Sequence, residues 1–231
     1  AEGFAREGAK VIGAEIDQAS GEAVTLAISV TSGEARLVHC DVSSGALLGQ
    51  LNIKTIETFG RHDYACNNAA IEREALFLVN VTDHDFERTV TVKFYGVFSS
   101  MKRQIKAMST QEGGGSIVNI VSIYATRSQP TGAVCSGTKA AVVAVTKAAV
   151  SYASQGARIN MVVPSAIDTP MLHDNMATAG LKPDRVAPMT SVNGRLGRVE
   201  EITEAVLWLS SGLATYTYGH FLAGDGGYLS R

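Results

Sequence analysis

Residues 113–122 read GGGSIVNIVS, residues 132–147 read GAVCSGTKAAVVAVTK, and residues 158–165 read RINMVVPS. A glycine turn leads into a short apolar, β-branched run. A small-residue approach then opens a long apolar helical stretch, and a second apolar run follows. This is the pattern of strand, helix and parallel strand, a βαβ unit with a right-handed crossover. Neither strand alternates polar with apolar residues, as expected for strands covered on both faces. Cys135 and Lys139 lie four residues apart on the helix and therefore share a face.

The same alternation extends outward. Apolar runs at 9–17 (AKVIGAEID), 36–42 (RLVHCDV), 62–69 (HDYACNNA) and 219–227 (GHFLAGDGG) complete six strands. Helical patterns near 19–31, 45–59, 84–109, 134–154 and 199–211 separate them. The fold class is α/β: a doubly wound, Rossmann-like parallel sheet in three layers. The strands end in polar or small residues: Glu15, Asp41, Asn67 with Asn68, Ser122, and Pro164 with Ser165. Ligands of open parallel sheets sit at the carboxyl ends of the strands, so these exits outline one pocket edge. Without repeat, low-complexity segment or linker, residues 1–231 are expected to form a single domain. AEGFAREGAK (1–10) reads as the second half of an amphipathic helix with no strand before it. The chain is therefore expected to begin mid-unit.

Composition narrows the function classes. A net charge of −2 gives no basic field for nucleic acid. The apolar windows fall short of the roughly 20 residues that span a bilayer, so no membrane segment is expected. Charges at Glu2, Arg6, Glu7, Lys10, Glu15 and Asp17 exclude a signal-peptide core. Three cysteines suggest no disulfide framework and point to the cytoplasm. Cys40 and Cys66 read as core residues. His39, His62, His84, His173 and His220 have no ligand spacing, so no metal is expected.

FAREGAKV (4–11), CDVS (40–43), TIETFGRHDYACNNAA (55–70), GGGSIVNIVS, TKAAVVAVTKAAVSYASQGARIN (138–160), PSAIDTPM (164–171), GRLGRVEEITEAVLWLSS (194–211) and GHFLAGDGGY (219–228) follow one another in order. Together they resemble the short-chain dehydrogenase/reductase family along nearly the whole chain. That resemblance implies a Rossmann domain using NAD or NADP to oxidise alcohols or reduce ketones, assembled as a homodimer or homotetramer. It also implies cofactor contacts. Glu15 would accept hydrogen bonds from the adenosine ribose hydroxyls and oppose a 2′-phosphate, favouring NAD over NADP. Asp41 would meet the adenine amine and Val42 the ring. Asn67, Asn68, Ala69 and Ala70 match an Asn-Asn-Ala-Gly motif, with alanine in place of its glycine. Thr169 would hold the nicotinamide amide and diphosphate, Ile167 would offer backbone groups to the same amide, and Pro164-Ser165 stands where the family has Pro-Gly. No stretch matches the family's glycine-rich diphosphate loop, and the first strand that carries it is expected to be missing.

The family's catalytic set is a Tyr that moves the proton, a Lys four residues later, a Ser that orients the substrate oxygen, and an Asn supporting a proton-relay water. Ser122 and Lys139 match. The Tyr position is Cys135, and the Asn position, in TVTVKFYGVF (89–98), is Lys93. A cysteine sulfur ends roughly 3–4 Å short of a tyrosine oxygen, outside the reach that acid–base catalysis requires. Two lysines turned inward would depress each other's pKa. The residues thus describe a scaffold for hydride transfer between NAD(H) and an alcohol or ketone, impaired at the proton-transfer position. The alternative is an inactive member that binds dinucleotide or serves as an oligomer partner. A third idea gives Cys135 a redox-sensing thiolate favoured by Lys139, set against a plain packed cysteine. Residues 168–193 are expected to form a substrate lid, with Met171, Leu172, Met176, Leu181 and Met189 giving it an apolar, adaptable lining.

Overall fold

The computed structural model describes residues 1–72 and 75–231. Six strands and nine helices are assigned among them. The strands are β1 (Val11–Glu15), β2 (Ala35–His39), β3 (Tyr64–Asn67), β4 (Gly115–Ile120), β5 (Ala157–Pro164) and β6 (Phe221–Gly224). The helices are α1 (Glu2–Arg6), α2 (Gln18–Val30), α3 (Gly45–Phe59), α4 (Asp83–Val90), α5 (Gly96–Met108), α6 (Ala133–Ala148), α7 (Pro170–Thr178), α8 (Pro183–Thr190) and α9 (Val199–Ser210). All strand pairs are parallel, and the helices flank them in a Rossmann-like arrangement.

The sheet comes in two pieces. β1 pairs with β2, and β3-β4-β5-β6 form the other piece. β1 and β3 do not pair with each other, so each has an edge without a strand partner among the described residues. Helix α1 packs against both α2 and α9, and its Phe4 stacks on Tyr64 with ring centroids 5.9 Å apart. On the other side Arg103 of α5 donates to the Gly45 carbonyl at 2.8 Å, which ties α3 to α5. Gly96 lets α5 approach the end of β2: a methyl group there would stand 3.0 Å from Val42 Cγ2.

The core lies on the two faces of β4 and β5. Ile117, Ile159, Met161 and Val163 meet Met108 and Val142 on one face, while Val118 and Val162 meet Val206 and Leu209 on the other. These strands have no solvent face, which is why their sequences do not alternate. Gly114, at φ +66°, passes under the Gly156 carbonyl so closely that any side chain would collide with it.

Two expectations need correction. The helical run Ala133–Gln155 spans 23 residues and is long and apolar enough to cross a membrane by length and composition. Here it packs against β5, α4 and the turn before α5, so its apolar character has a structural use. Cys66 is exposed rather than part of the core. It sits on β3, whose outer edge has no strand partner among the described residues, whereas Cys40 is buried as expected.

Candidate active site

Parallel pairing sends every strand exit of each sheet piece to one edge. Lys139 makes the connection at the centre. It projects from α6 and donates to the Ile120 carbonyl at the end of β4, at 2.7 Å. Ser122 follows two residues later, where its hydroxyl accepts from the Tyr124 amide at 3.2 Å and caps a short 3₁₀ turn. Ser122 and Lys139 therefore meet at one strand exit, as expected from a βαβ reading. Cys135 lies in the first turn of α6, one helical turn before Lys139.

Lys93 reaches the same place from a different element. Thr91–Tyr95 form a π-helical turn between α4 and α5. Such a bulge re-aims side chains relative to a regular helix. Lys93 is 3% exposed and donates to Cys135 Sγ at 3.2 Å. Cys135 is 6% exposed and Lys139 7%. Two lysines and a thiol thus form one buried cluster. No carboxylate forms a salt bridge with either lysine among the described residues. Lys139 is lowered to about 8: burial is the main cause, the charge of Lys93 adds to it, and Cys135 opposes it.

The cofactor-edge residues present a mixed picture. Glu15 ends β1, and one oxygen of its carboxylate accepts from the amides of Ile16 and Asp17, at 2.8 and 3.2 Å. Asp41 accepts from the Ser43 amide at 2.8 Å, just before α3, and Val42 packs at Gly96. Asn67 uses its amide inside the protein, donating to Gln104 and Asn119 and accepting from Gln104. Asn119 is fully buried and donates on to Thr146 at 2.9 Å. Asn67 thus anchors β3 to β4 and α5, while Asn68, Ala69 and Ala70 are exposed beyond the strand. After β5, the Thr169 hydroxyl caps α7 by accepting from Leu172 and donates to the Ile167 carbonyl.

The loop before α9 supports this last segment; it lies within the 194–211 stretch that carries the resemblance, but sequence reasoning gave it no role. Gly197 bridges Ile167, and its carbonyl accepts from the Asp168 amide at 2.8 Å. Arg195 holds that loop through a two-pronged contact with Glu201, at 2.6 and 2.8 Å. Glu201 also accepts from the Arg198 amide, closing the first turn of α9. The acid three residues after Arg198 was the available signal. Arg195 holds Glu201 well below the usual carboxylate range, at about 2. The 168–193 segment folds as α7 and α8, with Met176 buried and Met171, Leu181 and Met189 exposed. Arg231 donates to the carbonyls of Pro188 and Met189 at the end of α8. Among the described residues no group of three or more His, Cys, Asp or Glu side chains is arranged to hold a metal ion.

Known proteins share this architecture. The sequence pattern of a family described as enoyl-(acyl carrier protein) reductase matches residues 1–229. A 2,5-dichloro-2,5-cyclohexadiene-1,4-diol dehydrogenase from Sphingobium indicum is 36% identical over 225 residues, covering 96% of this chain and 87% of the relative. A levodione reductase from Leifsonia aquatica is 31% identical, with 97% and 86% covered. Among solved structures, a levodione reductase superposes with a TM-score of 0.92 at 28% identity, covering 100% of this chain and 93% of that one. A 3-ketoacyl-(acyl-carrier-protein) reductase from Brucella melitensis complexed with NADH gives 0.89 at 30% identity, covering 98% and 91%. ElxO with NADP bound gives 0.91 at 26%, covering 99% and 92%. The chain belongs to the short-chain dehydrogenase/reductase family, a family of oxidoreductases whose members bind nicotinamide dinucleotides.

Proposed function

We propose that this protein is a single-domain oxidoreductase scaffold that binds NAD(H) and an alcohol or ketone, with proton transfer impaired at position 135. The observation that carries the reading is the Lys139 contact with the exit of β4 beside Ser122, with Cys135 on the same helical face and in contact with Lys93. The residues present suit a dinucleotide lying along the strand exits. The carboxylate of Glu15 at the end of β1 suits a ribose hydroxyl, and its charge opposes a 2′-phosphate. Asp41 and Val42 would flank the adenine. Asn68, Ala69 and Ala70 would line the middle, and Pro164, Ile167, Thr169 and Lys139 the nicotinamide end.

A bound nicotinamide supplies or accepts the hydride. The protein's own part is to hold the substrate oxygen and move a proton. Ser122 offers a hydroxyl at the strand exit to fix that oxygen. Lys139 offers an ammonium whose lowered pKa lets it give up its proton near neutral pH. Cys135 is too short to deliver a proton where a tyrosine would, and Lys93 covers its sulfur. The same contact favours the alternative, a member that binds dinucleotide without turnover. The lid over 168–193, with its methionines, suits a lipophilic or cyclic substrate.

The family resemblance supports a homodimer or homotetramer. An open apolar hollow of about 290 Å³ between α4 and α6 is lined by Leu78, Phe86, Val90, Phe94, Val134 and Ala141, a surface suited to a second copy. A cytoplasmic setting fits three cysteines none of which is in a disulfide. Titration calorimetry with NAD, NADH, NADP and NADPH tests the cofactor assignment. Binding of NAD(H) at least ten times tighter than NADP(H) is expected. Equal affinities would overturn the role given to Glu15, and absence of binding to all four would overturn the dinucleotide reading.

A further inference from the structure

Residues 170–190, which contain α7 and α8, are tied to the rest of the protein by one side chain. Among the described residues, the only hydrogen bonds between them and any residue outside 168–193 come from Arg231. Its guanidinium donates to the Pro188 and Met189 carbonyls at 3.3 and 2.6 Å. We propose that Arg231 is a latch: it holds the α7–α8 segment closed, and its release lets that segment open as a unit at the strand-exit edge. The motion needs neither cofactor nor substrate; only its use, admitting a substrate, rests on the oxidoreductase reading.

Helix chemistry gives the latch its purpose. The last carbonyls of a helix have no partner within it. α8 has eight residues, too few for a helix that is stable by itself. Pro188 lies inside it and has no N–H to donate, so one bond of the ladder is missing. The Val192 amide, which could have continued the ladder, donates to the Gly226 carbonyl instead. Arg231 supplies donors to two open carbonyls and places a positive charge at the negative end of the helix. The latch also has a firm base. Arg231 lies over the Tyr228 ring at 4.8 Å, and Arg127 lies over the same ring at 5.3 Å. Arg127 donates to the main-chain oxygen of Arg231. Tyr228 is 8% exposed and belongs to the main core.

The two ends of the segment are pinned separately. Before it, the Asp168 amide donates to the Gly197 carbonyl at 2.8 Å. After it, the Val192 amide meets Gly226 at 2.8 Å. Gly226, at φ +59°, packs so closely that a Cβ there would stand 2.8 Å from the Ser191 Cβ. Between these pins α7 and α8 rest on the apolar packing of Met176, Val186 and Ala187. A segment with so few ties opens at lower cost than the core. α7 begins just after the exit of β5, so opening uncovers the edge where the strand exits lie.

The test is oxidation of the full chain by hydrogen peroxide, without cofactor or substrate, with methionine sulfoxide followed by peptide mapping. Met176 of α7 is 4% exposed, Met161 of β5 is 0% exposed and Met171 is 41% exposed. Met176 therefore reports opening of the segment, Met161 global unfolding and Met171 the oxidant dose. Arg231→Ala is expected to speed Met176 oxidation by at least about tenfold, because two bonds from a charged donor are lost. Met161 and Met171 should keep their rates. Arg231→Lys retains the charge and a donor, and should restore most of the protection. An unchanged Met176 rate in Arg231→Ala, a Met161 rate that rises in proportion, or Arg231→Lys as fast as Arg231→Ala would each overturn the proposal. If Arg231→Ala does not fold, Arg231→Gln decides by the same comparison of Met176 with Met161. This pattern in a protein that binds no dinucleotide would refute the oxidoreductase reading and keep the latch.

Discussion

Replacing Lys139 by methionine keeps the length of the side chain and removes the buried charge. The ammonium is 7% exposed, and its pKa falls from 10.5 to about 8, chiefly through burial. That displacement corresponds to about 3 kcal/mol lost by the folded state at neutral pH. The substitution also strips the Ile120 carbonyl of its 2.7 Å donor, which costs about 1–2 kcal/mol. The variant should therefore be more stable than the parent by about 1–2 kcal/mol near neutral pH. The sign with pH follows from proton binding. Between about 8 and 10.5 the unfolded chain holds a proton on Lys139 that the folded protein has released, so the parent gains stability as pH rises through that window. From about pH 7 to about pH 9.5 that gain is about 2 kcal/mol, and the advantage of the variant should shrink by the same amount. The raised thiols of Cys40 and Cys66 titrate in both proteins and cancel in the difference. Urea unfolding of both proteins at the two pH values gives the result. A stability difference that does not change with pH would refute the buried, charge-crowded placement of Lys139.

Other perturbations probe separate parts of the structure. Glu15→Ser should shift the NADP to NAD affinity ratio upward by about tenfold or more, measured by calorimetry. Glu201→Gln should lower stability above about pH 4.5, because the low carboxylate pKa stabilises the fold there. That penalty should fade as pH drops toward about 2, and an unchanged penalty at low pH would contradict the Arg195 contact. Leu78→Asp with Phe86→Asp should convert an oligomer to monomer in sedimentation, since both line the open hollow beside α6.

The periodicity was enough for the main scaffold. The helix expected over 45–59 is α3 with the same bounds, and 199–211 overshoots α9 by one residue. These helices carry clear apolar stripes and end at glycine or serine. Residues 168–193 lie outside the expected helices, yet α7 and α8 form there. Each starts with proline at its first helical position, a start signal hidden by polar composition. The π-turn at 91–95 was invisible because a single bulge leaves the helical pattern of TVTVKFYGVF intact. The meeting of Ser122 with Lys139 was legible, since a βαβ unit forces the helix back across the strand. The contact between Lys93 and Cys135 joins residues 42 apart on different elements, and no local pattern encodes it. The same holds for Asn67, whose motif suggested a cofactor but whose amide bonds to Gln104 and Asn119.

The proton-transfer role of position 135 is tested most directly by placing tyrosine there. NADH oxidation with a panel of cyclic and linear ketones would be followed in the unsubstituted protein, in Cys135→Tyr and in Cys135→Ala. The tyrosine variant should gain on the order of 10²–10⁴ in rate over the other two, which should be nearly inactive. An unsubstituted protein that turns over NADH at an ordinary enzymatic rate and loses nothing on Cys135→Ala would contradict it.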